Sequence, residues 1–298
     1  MDNRAEVREF LTSRRAQVTP EQAGLPTGTN RRVTGLRRSE VATLAGVSVE
    51  YYTRLERGAI RGASPEVLAS LAKALRLDDA ERAHLFDLAQ AASPVARPPK
   101  RRNPKSWVPH QSLQWALDAV GAGPAFVRNG RMDLLAVNVL ARAFYKDVYD
   151  MPGQPPNIAR FTFLDDRAHE FYPDWEAFAE VTVSILRTEA GRDPHNKDLH
   201  DLIGELSTRS DEFRRRWGAH NVRHHGTGFK TFQHPIVGEL TLAFEGLEMA
   251  AEPGLTLTIY TAEPGSPSAE RLRLLASWAA SEYGDAITFA PERTRTDG

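Results

Sequence analysis

The sequence predicts a small all-α domain followed by an α+β domain with an antiparallel sheet. Three observations carry that reading. From residue 3 to residue 92 apolar residues recur at helical spacing and are broken by capping residues, whereas in the last third they alternate with period two. Between the halves lies 93–110, SPVARPPKRRNPKSWVPH, with five prolines and five cations and no acid. Such a stretch reads as a semi-extended linker, so the expected layout is a domain at 1–92, the linker, a second domain at 111–290 and a disordered tail at 291–298. A length of 298 residues suits about two domains.

Taken in order, 3–17 reads as a first helix with Val7, Phe10 and Leu11 as its buried stripe. Residues 18–35 hold Pro20, Gly24, Pro26, Gly28 and Gly35, which predicts a long loop. Val41, Ala42, Leu44 and Ala45 give one apolar face of a second helix, and Gly46 turns the chain cheaply. Ser48 then caps a third helix whose buried positions are Tyr52 and Leu55, and Gly58 ends it. Ser64-Pro65 opens a fourth helix with Val67, Leu68, Leu71 and Leu75 inward, and Asp78 with Glu81 forms a capping box for a fifth through about Ala92.

Two short helices joined by a glycine turn, the second exposing polar and aromatic residues, make a helix-turn-helix. In detail the stretch 36–58 resembles the Xre-type, lambda-repressor-like domain. The resemblance rests on Val41 to Leu44, the turn Gly46-Val47-Ser48, and the closing run Arg54-Leu55-Glu56-Arg57-Gly58. It departs at the opening of the second helix, where the small hydroxyl cap and glutamine of that family are Arg37 and Arg38.

Charge supports the same division. Residues 1–110 carry 19 Lys and Arg against 12 acids, while 111–298 carry 19 against 27. A basic half beside an acidic one is expected where one half faces a polyanion. The linker cations could follow DNA phosphates or merely keep the segment solvated. With 41 % hydrophobic and 26 % charged residues the chain reads as globular, and its lack of cysteine excludes disulfides and thiolate chemistry. No apolar run approaches the ~18 residues of a membrane span, and MDNRAEVREF has no signal-peptide core, so a cytoplasmic, nucleoid-associated protein is expected.

The second half opens with an amphipathic helix bearing Leu113, Leu117 and Val120. Two short strands around Asn129-Gly130 predict a hairpin, and Asn138 starts a helix with Leu140, Ala141, Phe144 and Tyr145. Further helices follow, with Phe178, Val181, Thr182, Ile185 and Leu186 on one face and Leu199, Leu202, Ile203 and Leu206 on another. Leu240, Leu242 and Phe244, then Leu255, Leu257 and Ile259, alternate as strands; a last helix capped by Ser266-Pro267 is expected to reach about Trp278. The motifs Asn157-Ile-Ala-Arg160, Tyr172-Pro-Asp-Trp175, Ala190-Gly-Arg-Asp-Pro194, Phe213-Arg-Arg-Arg-Trp217, His234-Pro-Ile-Val-Gly238 and Tyr260-Thr-Ala-Glu-Pro-Gly265 resemble the MmyB-like family in their order. The resemblance covers about residues 3–278. It implies a PAS-like sensor domain, transcriptional regulation, DNA binding as a dimer and a ligand of fatty-acid type.

Candidate DNA contacts follow from the motif. Arg31, Arg32, Arg37, Arg38, Arg54 and Arg57 suit phosphate, while Ser48, Val49, Glu50, Tyr51 and Thr53 line the start of the recognition helix. Glu50 could accept from cytosine N4 and Val49 could meet a thymine methyl. Glu56 is expected to pair with Arg38 or another arginine at the helix junction. For a ligand, the aromatic run 161–178 supplies Phe161, Phe163, Trp175 and Phe178, with Asn138, Arg160 and His234 as candidate head-group partners. Mostly such rings must be core, since a sheet needs covering, and a cavity would need the same residue types. His220, His224 and His225 have a spacing that could hold a metal, but Asn221-Val222-Arg223 reads as a helix exit and no third ligand is placed, so no metal and no cofactor beyond a bound apolar molecule is expected. Neither a Walker A run, a G-x-S-x-G nor an H-E-x-x-H occurs, which argues against an enzyme. The sequence therefore reads as a DNA-binding regulator, a homodimer on a double-stranded operator, whose second half senses an apolar molecule. Its rivals are a dimerisation or protein-docking module without ligand, and a DNA-tethered enzyme.

Overall fold

The structure, a computed structural model, describes residues 3–26, 33, 35–92, 107–153, 155–219 and 226–283. Arg31, Arg32, His220, His224, His225, most of the linker and the tail lie outside them. The helices α1 (Asn3–Gln17), α2 (Arg38–Ala45), α3 (Val49–Glu56), α4 (Pro65–Ala74) and α5 (Asp79–Ala91) come first. Their boundaries have local causes. Gly46 sits at φ 67° to end α2, and the Ser48 hydroxyl accepts from Tyr51 N at 3.1 Å to start α3. Ser64 caps α4 ahead of Pro65. Asp78 and Glu81 exchange backbone bonds at 2.8 and 3.0 Å to start α5.

After α6 (Gln111–Asp118) come β1 (Ala125–Asn129), β2 (Leu134–Val137), α7 (Val139–Phe144), α8 (Lys146–Tyr149), α9 (Ile158–Leu164) and α10 (Arg167–Phe171). Three helices follow, α11 (Trp175–Arg192), α12 (Lys197–Arg209) and α13 (Asp211–Gly218), then β3 (Thr227–His234), β4 (Gly238–Glu248), β5 (Leu255–Thr261) and α14 (Pro267–Tyr283).

Contacts divide the chain into two compact units that are not sequence halves. One holds Met1–Arg101 with Glu176–His225, and the other Arg102–Trp175 with Gly226–Gly298. α12 and α13, with α11 from Glu176 onward, thus group with the first unit. Within that unit Phe10, Leu11, Val41, Tyr52, Leu55 and Leu71 are fully buried, each large side chain contributing about 1.5–3 kcal/mol. Charged groups tie α11 in. Arg187, fully buried, donates to Glu6 of α1 at 2.5 Å and to the Trp217 carbonyl, with its guanidinium 4.2 Å from the Trp217 ring centroid. Gly191 lies against the His84 ring, too close for a Cβ, and Arg192 donates to Asp87 at 3.1 Å. Leu44 differs from expectation: it is 38 % exposed, because an eight-residue helix buries a narrow stripe and Val41, Ala42 and Ala45 fill it.

The second unit is built on an antiparallel five-stranded sheet in the order β2-β1-β5-β4-β3, a PAS-like arrangement. One face carries Ala125, Val127 and Ala136 under Leu113 and Leu117 of α6. The other face carries the aromatic residues and is covered by α7, α10 and α14. The hairpin between β1 and β2 forms, but Gly130 is not its left-handed residue; Met132 is, at φ 65°. Asn129 Oδ1 accepts from the backbone N of Arg131 and Asp133, and Asp133 binds Asn129, Arg131 and Asn157, so a buried side-chain network shapes the turn. β3 is a strand that the alternation of the sequence did not predict. α14 runs five residues beyond Trp278.

Candidate functional site

The exposed surface of α3 begins at its cap. Val49 and Glu50 are exposed in the first turn, Tyr51 and Thr53 half-buried beside them, and Arg54 and Arg57 exposed toward the C-terminus. Val49, Glu50, Thr53, Arg54 and Arg57 line, with Ala59, an open concavity of about 380 Å³. Arg54 stands over the Tyr51 ring, 5.0 Å from its centroid, which pre-orders a cation beside an aromatic face. The opposite side of α3 is fixed by Tyr52 and Leu55 in the core. Hence the helix can present Glu50, Tyr51 and Arg54 only outward.

Glu56 is the junction's hub. Its carboxylate accepts from Arg15 Nε at 2.5 Å, from Arg38 Nε, and from the Tyr52 hydroxyl at 3.5 Å. Burial pushes the Tyr52 phenol pKa well up, so it stays a donor. Arg38 is 49 % exposed while its Nε is on Glu56, and the bond to Glu56 raises its pKa further. The pairing of Glu56 is therefore structural, and it joins α1 as well as α2 to α3. Arg37 precedes α2, its backbone N donating to Glu40 at 2.6 Å, with its side chain exposed. Ser48 spends its hydroxyl as a cap.

In the second unit, Phe126, Phe144, Tyr145, Phe171, Phe232 and Tyr260 gather from strands and helices far apart in sequence, with ring centroids 4.9–6.3 Å from their neighbours. The Tyr145 and Tyr260 hydroxyls are 3.4 Å apart. Burial raises both phenols, Tyr260 to about 12, and raises Tyr172 as well, so all three remain protonated at neutral pH. Lys230 reaches the same face with Nζ 4.3 Å from the Phe244 centroid. Its pKa is pushed down to about 7, first by burial and then by Arg128.

The expected ligand residues fall in different places. Phe161 is buried between Phe171 and Tyr172. Phe163 packs edge-on to Trp175, whose indole N–H donates to the Thr162 carbonyl at 2.9 Å and whose ring stacks on His169. Phe178 lies on α11 in the first unit, and Arg160 is half-exposed on α9. Two head-group candidates are engaged within the fold. Asn138 makes four bonds within the fold, donating to the Val120 and Gly123 carbonyls and accepting from Ala125 N and Ala141 N, which exhausts its amide. His234 bonds through both ring nitrogens, to the Ala143 carbonyl and from Ile236 N, and burial lowers its pKa, keeping it neutral. Tyr145, Tyr260, Lys230 and Arg128 were not anticipated.

Among the described residues no group of three or more His, Asp or Glu could hold a metal, and no helix is long and apolar enough to cross a membrane. A family model described as a MmyB-like transcription regulator ligand binding domain matches residues 109–275, and one described as a helix-turn-helix domain matches residues 6–85. No curated protein matches the chain. With the helix-turn-helix on α2 and α3, the PAS-like sheet, and a family match over more than half of its length, the chain belongs to the MmyB-like transcription regulators, DNA-binding proteins with a ligand-sensing C-terminal domain.

Proposed function

We propose that this regulator binds a two-fold operator as a homodimer and is switched by a small apolar, fatty-acid-like molecule held on the aromatic face of its PAS-like sheet. The observation that carries the reading is that face itself, where apolar rings surround a few polar groups. A ligand site has that composition: mostly hydrophobic, with a small number of polar groups to orient the guest. Each methylene buried there contributes about 0.8 kcal/mol. On the DNA side, Val49, Glu50, Tyr51 and Thr53 would meet base edges, and Arg37, Arg38, Arg54 and Arg57 phosphates, with Arg31 and Arg32, earlier in the sequence, as further phosphate contacts. A single small helix-turn-helix reads few base pairs, which is the argument for two copies on one operator.

A second reading has its own support. The rings pack closely, as they would in a solid core, and Phe229, 74 % exposed, stands on the sheet's other face. On that reading the domain docks a protein. Thermal unfolding with a panel of fatty acids and alcohols separates the two, together with operator binding under the same conditions. A sensor gains stability in a concentration-dependent way and changes its operator affinity; a docking module does neither.

A further inference from the structure

Helices α1–α5 close a core of their own. Its buried apolar members run from Val7 to Ala89, and among the described residues α11, α12 and α13 add none to it. Yet from Glu176 onward these later helices group with α1–α5. What seats them is polar and close. Arg187 and Gly191 stand one turn apart on a face of α11, with Arg192 next to them. The buried Arg187 guanidinium donates to Glu6 of α1 at 2.5 Å, and Arg192 Nε donates to Asp87 of α5 at 3.1 Å. Gly191 admits the His84 ring of α5 so near that a Cβ would lie 2.6 Å from it. From behind, α13 braces α11: the Trp217 carbonyl accepts from Arg187, and Arg216 lies 3.3 Å and 3.4 Å from the carboxylates of Glu176 and Glu180. A buried ion pair gains little more from attraction than its desolvation costs, so a seat of this kind opens more readily than an apolar one. Burial acts first on both partners here, raising the pKa of Glu6 and lowering that of Arg187.

The helix held in this way also holds α3. Glu6 comes two residues after Arg4, whose backbone lies against Gly58 just beyond α3; a Cβ on Gly58 would be 2.3 Å from the Arg4 carbonyl oxygen. In the last turn of α1, Arg15 Nε donates to Glu56 of α3 at 2.5 Å. At the far end of α11 the chain passes between the two units, from Trp175 to Glu176. Trp175 is anchored in the second unit, its indole N–H donating to the Thr162 carbonyl at 2.9 Å and its ring stacked on His169.

We propose that α11–α13 form a releasable clamp on α1 and α5: seated, they keep α3 in its DNA-binding pose, and the second unit acts on operator affinity by loosening or tightening that seat. This rests on the reading of the chain as a ligand-switched regulator, and it adds the route of the switch. A pose held in advance spares the ordering cost of binding, so release lowers operator affinity. The core of α1–α5 stays closed in both states, which separates release from unfolding.

The test is fluorescence anisotropy of the full-length protein on the duplex that the wild type selects from a random pool, at a temperature where thermal unfolding shows each variant folded. Arg187→Met should lower operator affinity about 5–150-fold with no ligand present, the range of an ordinary coupling. The chain has no cysteine, so Asp87→Cys/Arg192→Cys carries two thiols only. This double variant serves also should Arg187→Met not fold. With its thiols free it should lose operator affinity, and bridging them with a short bismaleimide should restore it. The bridged protein should still bind dodecanoate, yet keep one operator affinity with and without it. Wild-type affinity in folded Arg187→Met, or in the double variant with or without the bridge, overturns the clamp. A dodecanoate effect on operator affinity that survives bridging also overturns it and leaves the sensor reading standing. Loss in Arg187→Met and recovery on bridging, in a protein whose operator affinity ignores dodecanoate even unbridged, keeps the clamp and counts against the sensor reading.

Discussion

Replacing Arg187 by Met should destabilise the first unit by about 3–5 kcal/mol, the cost of leaving a buried charge without its counter-ion. The geometry sets that magnitude. Arg187 has no exposure, and Glu6, 3 % exposed, accepts from it at 2.5 Å. Methionine keeps much of the volume, so the loss is mainly electrostatic rather than a cavity. Burial is the first influence on Glu6 and raises its pKa; the charge and hydrogen bond of Arg187 are the next and lower it. Without the arginine the carboxyl must rise further. A carboxyl raised above its unfolded value stabilises below the unfolded pKa and loses that contribution as pH climbs through the folded pKa. The deficit of the variant should therefore be largest at neutral pH and shrink as pH falls through the raised pKa of Glu6. Urea unfolding over a pH series measures this. The double variant Glu6→Gln/Arg187→Met should be less destabilised than the two single changes combined. Additive losses, or a deficit independent of pH, would refute the pairing as the element that holds α11 to α1.

Other outcomes follow from the same contacts. Glu50→Ala and Tyr51→Ala should alter operator sequence preference by about 1–3 kcal/mol per contact in a competition assay, and unchanged preference would remove α3 from the groove. Glu56→Gln should cost about 1–3 kcal/mol in thermal unfolding, since Arg15 and Arg38 keep some solvent when their acceptor weakens. Gly58→Ala should destabilise by at least about 1 kcal/mol, because the residue sits at φ 94° with the Arg4 backbone against it. Asn138→Ala, losing four hydrogen bonds of which three are buried, should cost about 2–4 kcal/mol by the same measurement.

The helix-turn-helix was legible because its signals are local: a glycine at positive φ, a serine cap, and buried positions one turn apart. The face of so short a helix is less so, and Leu44 lies outside a stripe that three smaller residues complete. β3 escaped notice for a reason tied to the site. Its inward positions are Gly228, Lys230, Phe232 and His234, so only one of four is a plain hydrophobe and no apolar alternation appears. The rings of the sheet meet through register, Phe244 opposite Tyr260 and Thr258 opposite Phe126, which no local pattern encodes. Likewise the periodicity of α11 identified a buried face but not its partner. That partner is in part α1, through an arginine and a glutamate that would each read as surface residues.

The central claim is that the occupant of the sheet's aromatic face governs DNA binding. Operator affinity of the full-length protein, measured by fluorescence anisotropy with and without saturating dodecanoate, tests it most directly. A coupling in the usual range changes that affinity about 5–150-fold, and a change of that size is expected. The same operator affinity at zero and saturating dodecanoate, with binding of the ligand itself demonstrated in the same sample, would contradict it.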